Sequence, residues 1–159
     1  VAESLTIENQ KLSLNGAGLR VKKKFGIGFK VYVGALYVKE RTSEAKKIIE
    51  SMDPLSLELT FLRDISASTL KESFQEGFDK NCGPDCAGAR PGFDQFKDLL
   101  SDVKEKDRLK LTMIGEEIRF EFNGKPGKLA GAPLRKSLIR IFLGSEPPTE
   151  DLKKALLNN

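Results

Sequence analysis

The sequence predicts an α+β domain in which a large, mainly antiparallel sheet carries helices on one face. Segments of alternating apolar and polar residues, which are typical of strands, occur in both halves of the chain and are interspersed with amphipathic helical patterns. No strand leads through a glycine-rich phosphate loop into a helix, since the Gly16–Gly18 motif is followed by a strand pattern. The 159 residues contain no internal repeat or long linker, so we expect one domain spanning residues 1–159.

The strand predictions rest on period-two alternation. Residues 5–8 and 11–14 predict a short hairpin, and Asn15–Gly18 predicts a turn. The longest strand is expected at residues 25–38, with Phe25, Phe29 and Val31 on one face and Tyr32 on the other. The remaining strands are predicted at residues 55–62, 108–114, 117–122 and near 128–130.

The helix predictions rest on apolar residues three and four apart and on capping signals. A Ser/Thr cap opens the first pattern, and apolar residues at spacing four define the second. A proline at Pro91 is interpreted as the start of the third helix. The five helices are predicted at residues 42–52, 70–78, 91–103, 132–144 and 149–157.

Composition excludes several function classes. The net charge is +4, and basic and acidic residues alternate along most of the chain, which favours a mixed-charge surface over a nucleic-acid-binding one. The densest basic run, Lys22–Lys24, is too short to indicate a phosphate-binding segment. The absence of histidine removes Ser-His and Cys-His dyads and imidazole base catalysis, which disfavours a hydrolase. No apolar run approaches the ~18 residues of a membrane span.

The two cysteines, Cys82 and Cys86, lie four residues apart in Asn-Cys-Gly-Pro-Asp-Cys. This spacing does not fit a C-x-x-C redox site, and two thiolates without histidine make a poor zinc site, so neither a metal nor a cofactor is expected. A small loop disulfide is favoured over two free thiols, and it would imply an oxidising compartment. The first residues, Val1–Ser4, show no signal-peptide pattern. A mature chain from which a signal peptide had been removed would look the same.

Five segments resemble the chalcone isomerase-like superfamily, in order and over nearly the whole chain: residues 14–20, 30–38, 61–64, 106–109 and 142–152. The resemblance is strongest to its bacterial, non-plant group, which is generally made with a secretion signal. It implies an open-faced β-sandwich, a large antiparallel sheet with helices layered on one face and a ligand cleft between them. Together with the cysteine pair, it implies a periplasmic or secreted protein.

The superfamily has catalytic and non-catalytic branches, and the resemblance bears on the choice. The plant enzymes use an arginine in a Gly-x-Gly-x-Arg segment, a threonine on the next strand and a tyrosine after an Arg-Asp motif. Fatty-acid-binding members keep the arginine and carry a tyrosine on the strand. Arg20 matches the arginine and Tyr32 the strand tyrosine, whereas the second tyrosine would fall near Ala67 and an active-site asparagine near Phe74. The resemblance therefore implies non-catalytic binding of fatty acids or similar amphipathic carboxylates. The alternative is an isomerase or lyase acting on an enone or other small carbonyl compound, with Arg20 as its catalytic residue.

The residues themselves leave the role of this pair open. Arg20 could be exposed to solvent, paired with an internal carboxylate such as Asp64, or bound to an anionic ligand. Tyr32 could donate its hydroxyl to a backbone carbonyl or to the same ligand carboxylate. Four further apolar residues are possible pocket lining: Leu36, Phe61, Phe74 and Phe78.

Overall fold

The computed structural model describes all 159 residues. Seven strands form one antiparallel sheet in which each strand pairs with the next in the sequence. Five helices accompany the sheet, which confirms the α+β class and the single large sheet predicted from the alternating patterns. The strands are β1 (Ser4–Ile7), β2 (Gln10–Lys24), β3 (Ile27–Val38), β4 (Leu55–Phe61), β5 (Arg108–Ile114), β6 (Glu117–Phe122) and β7 (Lys125–Ala130).

The helices cover one face of the sheet and enclose the main core. They are α1 (Ala45–Glu50), α2 (Ala67–Asn81), α3 (Cys86–Asp98), α4 (Ala132–Leu143) and α5 (Glu150–Leu156). Helix α4 packs against α2 and α3, and α5 lies against β2 and β3. Phenylalanines from α2, α3 and β6 stack within this core, as Phe78 does on Phe93 with ring centroids 4.2 Å apart. No helix is both long enough and apolar enough to cross a membrane.

The segment Asn15–Gly18 is not a turn but lies inside β2, so this sequence prediction was wrong. Asn15 is an extra residue in β2, because Leu14 pairs with Tyr37 while Gly16 pairs with Leu36. This β-bulge turns the Asn15 side chain into the protein, where its amide donates to the carbonyls of Thr42 (3.0 Å) and Leu156 (2.8 Å). The glycines are needed for close packing rather than for a chain reversal.

Several other boundaries differ from the predictions. Phe25 lies in the turn before β3 and not in the strand. Helix α3 begins at Cys86 and includes Pro91, which is exposed to solvent, so its missing N–H removes a hydrogen bond on the outer side of the helix. Val103 lies beyond α3 and forms a bridge with Ile65. Helix α1 is shorter than expected, and its N-cap residue, Glu44, makes no side-chain cap.

Candidate functional site

Arg20, Tyr32 and Phe61 form a row across three adjacent strands. Arg20 on β2 pairs with Tyr32 on β3, and Tyr32 pairs with Phe61 on β4. Directly paired side chains on one face of an antiparallel sheet lie about 5 Å apart at Cβ. The rings of Tyr32 and Phe61 meet edge to face with centroids 5.8 Å apart. The structure thus brings the two predicted head-group residues together on the face that carries the helices.

A second β-bulge changes which side chains share this face. Arg20 pairs with Tyr32 and Val21 pairs with Lys30, which leaves Val31 as the extra residue on β3. One inserted residue reverses the alternation, so Val31 and Phe29 point to the same side as Tyr32. The sequence prediction that placed Tyr32 on the face opposite Phe29 and Val31 was therefore wrong.

The part of the β2–β3 hairpin beyond this bulge, residues 20–31, is called here the outer hairpin. It forms one wall of a cleft of about 620 Å³, called here the large cleft, and the start of α2 forms the other wall. Its volume lies within the range of about 300–1,000 Å³ that is usual for small-molecule sites. The apolar lining comes from Phe29, Val31, Phe61, Ile65 and Leu70, and the basic lining from Arg20, Lys22, Lys24 and Arg63.

A smaller cavity of about 110 Å³, called here the small cavity, lies on the other side of Arg20. Tyr32 and Phe74 line it, together with residues from the end of α4 and the segment that precedes α5. Arg20, Ser73 and Glu76 line both spaces. Arg20 therefore stands at the junction between the large cleft and the small cavity.

The guanidinium of Arg20 has no carboxylate partner. Its Nη1 donates to the carbonyl of Pro148 at 2.6 Å, and no acidic side chain lies within 4.0 Å of it. Asp64, the internal carboxylate considered from the sequence, instead accepts a hydrogen bond from the backbone of Glu105 at 2.9 Å. Because Arg20 is only partly buried, solvent and any bound anion can reach its remaining N–H groups.

The hydroxyl of Tyr32 makes no hydrogen bond within the protein, although the side chain is only 8% exposed. The backbone partner that the sequence left open is thus not found. Burial raises the pKa of Tyr32 well above its usual value, and the positive charge of Arg20 only partly opposes this shift. Tyr32 is consequently a neutral hydrogen-bond donor at any physiological pH, and it faces the small cavity.

The four possible lining residues divide into two groups. Phe61 lines the large cleft and Phe74 lines the small cavity. Leu36 and Phe78 belong to the main core and lie outside both spaces. Phe78 is completely buried because it stacks on Phe93, and Leu36 is buried between neighbouring strands and the helices above them.

The sequence reasoning missed the polar face of α2. Its residues recur at spacings of three and four, which places them on one side of the helix. The apolar residues of α2 follow the same spacing on the opposite side, which faces the core. Glu76 receives a hydrogen bond from Lys80 at 2.8 Å, which lowers its pKa, and the charges of Lys22 and Arg20 lower that pKa further. The members of this polar face that line the large cleft or the small cavity are Ser66, Thr69, Glu72, Ser73, Glu76 and Lys80.

Cys82 and Cys86 are joined by a disulfide, with their Cα atoms 4.9 Å apart. The disulfide spans the 3₁₀ turn Gly83–Asp85 between α2 and α3. Arg140 donates to the carbonyl of Cys82 at 3.1 Å and pairs with Asp85, which fastens this turn to α4. Both cysteines lie outside the large cleft and the small cavity, and no cluster of three or more metal-ligating side chains is present.

The fold and the site together define an open-faced antiparallel-sheet protein. An arginine and a tyrosine on adjacent strands lie together beside the cleft between its sheet and its helices. The chain belongs to the chalcone isomerase-like family, since a family model described as chalcone isomerase-like matches residues 1–158. This confirms the resemblance read from the sequence motifs, while membership of the bacterial group stays a prediction.

No curated protein matches the sequence. Among solved structures, the crystal structure of the Arabidopsis thaliana fatty-acid binding protein is similar to this chain with a TM-score of 0.78 and 15% sequence identity. The match covers 99% of this chain and 97% of the plant protein. At this identity the likeness establishes the shared fold.

Proposed function

We propose that this protein binds fatty acids or similar amphipathic carboxylates without catalysing a reaction, and that Arg20 and Tyr32 hold the carboxylate. The observation that carries the proposal is the pairing of Arg20 with Tyr32 on adjacent strands, with donors left free on both side chains. The solved plant structure of the same fold is that of a fatty-acid binding protein, which adds support by analogy.

The head-group chemistry follows from the free donors. A carboxylate placed at the junction can accept hydrogen bonds from the N–H groups of Arg20 and from the hydroxyl of Tyr32. Such charge-assisted hydrogen bonds contribute about 1.5–3 kcal/mol net. A neutral tyrosine is suited to this role because its hydroxyl donates a hydrogen bond and adds no negative charge. Its raised pKa keeps it in this form.

The large cleft is suited to the tail. Its apolar lining from Phe29, Val31 and Phe61 is continuous with the junction at Arg20. Each buried methylene contributes about 0.8 kcal/mol, so a ~12-carbon tail offers roughly 9 kcal/mol before costs. After the costs of association and ordering, an affinity of about micromolar is reachable.

The alternative function is an isomerase or lyase of the chalcone isomerase type. The observation that favours it is the presence of Ser73 and Glu76 beside Arg20, since a cyclising or enolising enzyme needs a second polar group near its electrophilic residue. Against it stand Ala67 and Phe74, which occupy the positions where the resemblance would require a tyrosine and an asparagine. Burial raises the pKa of Tyr32, so little phenolate forms at neutral pH, which disfavours Tyr32 as a base in place of that tyrosine.

The test is Arg20→Ala, measured by isothermal titration calorimetry with a series of saturated fatty acids. We expect the affinity to fall at least about tenfold, because the carboxylate loses its charge-assisted hydrogen bonds to Arg20. The melting temperature without ligand should change little, because Arg20 gives the fold only one hydrogen bond to Pro148. Arg63→Ala is the matched control: Arg63 also lines the large cleft, but it stacks on Phe29 away from the junction. We expect it to weaken binding only about twofold.

An affinity that survives Arg20→Ala would overturn the head-group assignment. Turnover of a chalcone panel that is abolished by Arg20→Ala would replace the binding function with the isomerase alternative. Native mass spectrometry adds a direct check: protein that takes up no fatty acid would overturn the proposed binding function.

We also propose that the protein works in an oxidising compartment, the periplasm or the extracellular space. The disulfide between Cys82 and Cys86 supports this, because such bonds persist outside reducing compartments. Free-thiol titration of protein taken directly from its native cells should find no reactive thiol. Two free thiols per chain would contradict the proposal.

A further inference from the structure

The charge of this protein is concentrated in one hairpin. Residues 10–39, which include all of β2 and β3, contain seven of the 27 basic residues and no acidic residue. The other 129 residues therefore carry 20 basic and 23 acidic side chains, a net negative charge. The even mixture of charges inferred from the overall composition does not extend to this hairpin. Such a separation of charge orients a protein towards an anionic surface.

The tip of this hairpin exposes large apolar side chains. Phe25 is 93% exposed and Ile27 is 59% exposed, and only two other large apolar residues in the protein are exposed, Val1 and Met52. Lys22, Lys23 and Lys24 precede Phe25 directly and are exposed as well. An apolar pair within a ring of lysines is unusual for a surface that faces only water.

The backbone at the tip is strained to keep Phe25 there. Lys24 pairs with Ile27, so Phe25 and Gly26 form a two-residue turn with φ values of 53° and 76°. This turn geometry favours asparagine or glycine at its first central position, and a bulky aromatic residue is a poor choice there. Phe25 is thus almost fully exposed and lies in a backbone conformation that a bulky side chain disfavours, which points to a role outside the fold.

An anionic lipid surface satisfies all of these features at once. Aromatic and aliphatic side chains partition into the boundary between head groups and acyl chains, and flanking lysines reach the lipid phosphates. A nucleic acid would satisfy the lysines but would leave Ile27 without an apolar environment. The outer hairpin also forms a wall of the large cleft through Lys22, Lys24 and Phe29, so a lipid surface at the tip would lie beside the cleft mouth.

We propose that the tip of the outer hairpin, residues 22–30, docks this protein on anionic lipid surfaces by inserting Phe25 and Ile27 between head groups while its lysines contact lipid phosphates. The inference stands on the charge distribution, exposure and backbone geometry of the hairpin. It does not depend on the proposed fatty-acid binding.

The test is flotation with two kinds of vesicle, phosphatidylcholine alone and phosphatidylcholine mixed with phosphatidylglycerol. The wild-type protein should float with the mixed vesicles and not with the neutral ones, and added salt should release it. Phe25→Asn should weaken binding about tenfold, because it removes the aromatic ring. The same change suits the turn and should leave the melting temperature equal or higher. Met52→Ser removes an exposed apolar residue elsewhere and should leave binding unchanged.

The lysines are tested with a second matched pair of variants. Lys23→Gln combined with Lys30→Gln removes two tip charges that do not line the large cleft, and should weaken binding about tenfold. Lys46→Gln combined with Lys125→Gln removes two exposed charges outside the tip and should weaken binding less than about twofold. Equal losses in both pairs would show that only net charge matters and would overturn the tip assignment.

Insertion has a spectroscopic signature. Because the protein contains no tryptophan, Phe25→Trp creates a single reporter, whose emission should shift to shorter wavelength with anionic vesicles. Met52→Trp should show no shift.

Three results would overturn the proposal: no binding to anionic vesicles, binding insensitive to Phe25→Asn, or a Phe25→Asn-sensitive complex with an acidic protein in place of lipid. Fatty-acid affinity measured without vesicles should be the same in wild type and Phe25→Asn, so failure of one proposal is distinguishable from failure of the other.

Discussion

The two halves of the β2–β3 hairpin differ in what their side chains contact. In the inner half, Asn15, Gly16 and Gly18 lie against α5 and are enclosed by it. In the outer hairpin, beyond the Val31 bulge, the large cleft lies between the strands and the start of α2, and the lysines and Phe25 reach solvent. One continuous pair of strands therefore serves two purposes, and the bulge marks the boundary.

The hydrogen bonds differ in the same way. The Asn15 amide donates to the carbonyls of Thr42 and Leu156, and its oxygen accepts from the backbone N–H of Thr42 at 2.9 Å. Arg20 makes a single hydrogen bond and the Tyr32 hydroxyl makes none within the protein. Polar groups in the inner half are satisfied because burial would otherwise be costly. Donors at the boundary are left free, which is the arrangement expected where a ligand completes the bonding.

The largest expected effect is on the inner half. A Cβ added at Gly16 would lie 2.0 Å from the Ala155 carbonyl oxygen and 2.7 Å from that of Leu156, both backbone atoms of α5. Gly16→Ala must therefore push α5 off the sheet, and we expect it to lower the free energy of unfolding by about 3 kcal/mol or more. Urea denaturation measures this loss.

Gly34→Ala is the matched control, because Gly34 lies on the neighbouring strand under the same helix. Its added Cβ would meet its nearest neighbours at 3.6 Å, an ordinary van der Waals contact. We expect a change within about 0.5 kcal/mol. If both variants were equally destabilised, close approach of α5 to Gly16 would not be the reason for the glycine.

Much of the fold could be predicted from the sequence, because alternation and capping act locally. Strands such as β4 and β5 alternate cleanly, and Thr149 caps α5 where the last helix was predicted to begin. Helix α2 begins three residues before its predicted start, because its Ser66 cap was not recognised. The bulges at Asn15 and Val31 could not be predicted. They are one-residue insertions defined only by the pairing partner on the next strand.

The unpredicted bulge at Val31 also limited how much of the candidate site could be predicted. Arg20 and Tyr32 were identified because they match a family motif, and they do pair. Phe29 was assigned to the wrong face because strict alternation was assumed across the bulge. The polar face of α2 was not predicted although its spacing is visible in the sequence, because a polar stripe opposite an apolar one is typical of any surface helix.

The next effect concerns Tyr32, at the boundary between the halves. Burial raises its pKa above the ordinary value of 10.0, so the folded state holds the phenolic proton more tightly than the unfolded state does. The resulting stability is fully present below pH 10 and is lost as the pH rises towards the folded-state pKa. Each pH unit in that window costs about 1.4 kcal/mol. Tyr32→Phe keeps the ring and cannot ionise, so its stability should fall less between pH 10 and pH 12, by about 2 kcal/mol.

Thermal melting from pH 8 to pH 12 measures the difference between wild type and Tyr32→Phe. Absorbance titration of Tyr37→Phe provides the control, because Tyr32 is then the only tyrosine, and its phenolate should form well above pH 10. A phenolate that formed at the ordinary pKa would show that Tyr32 is not buried in solution. Tyr32 would then belong with the solvent-exposed outer hairpin and not with the enclosed inner half.

The smallest effect concerns Glu76, which faces the outer hairpin from α2. Lys80 and the charges of Lys22 and Arg20 hold its pKa below the usual range, so it is negative at neutral pH and repels a ligand carboxylate at Arg20. Because Glu76 is exposed, solvent screens this repulsion, and Glu76→Gln should tighten fatty-acid binding only about two- to threefold.

The gain should shrink in high salt, and the melting temperature should stay close to that of wild type, because the exposed Glu76–Lys80 pair contributes little to stability. Glu121→Gln, an exposed carboxylate on β6 that lines neither space, should leave affinity unchanged. Weaker binding by Glu76→Gln would instead mean that Glu76 accepts a hydrogen bond from the ligand. The ligand would then present a hydroxyl or a protonated group, and the isomerase alternative, which needs a polar partner opposite Arg20, would gain over the carboxylate grip.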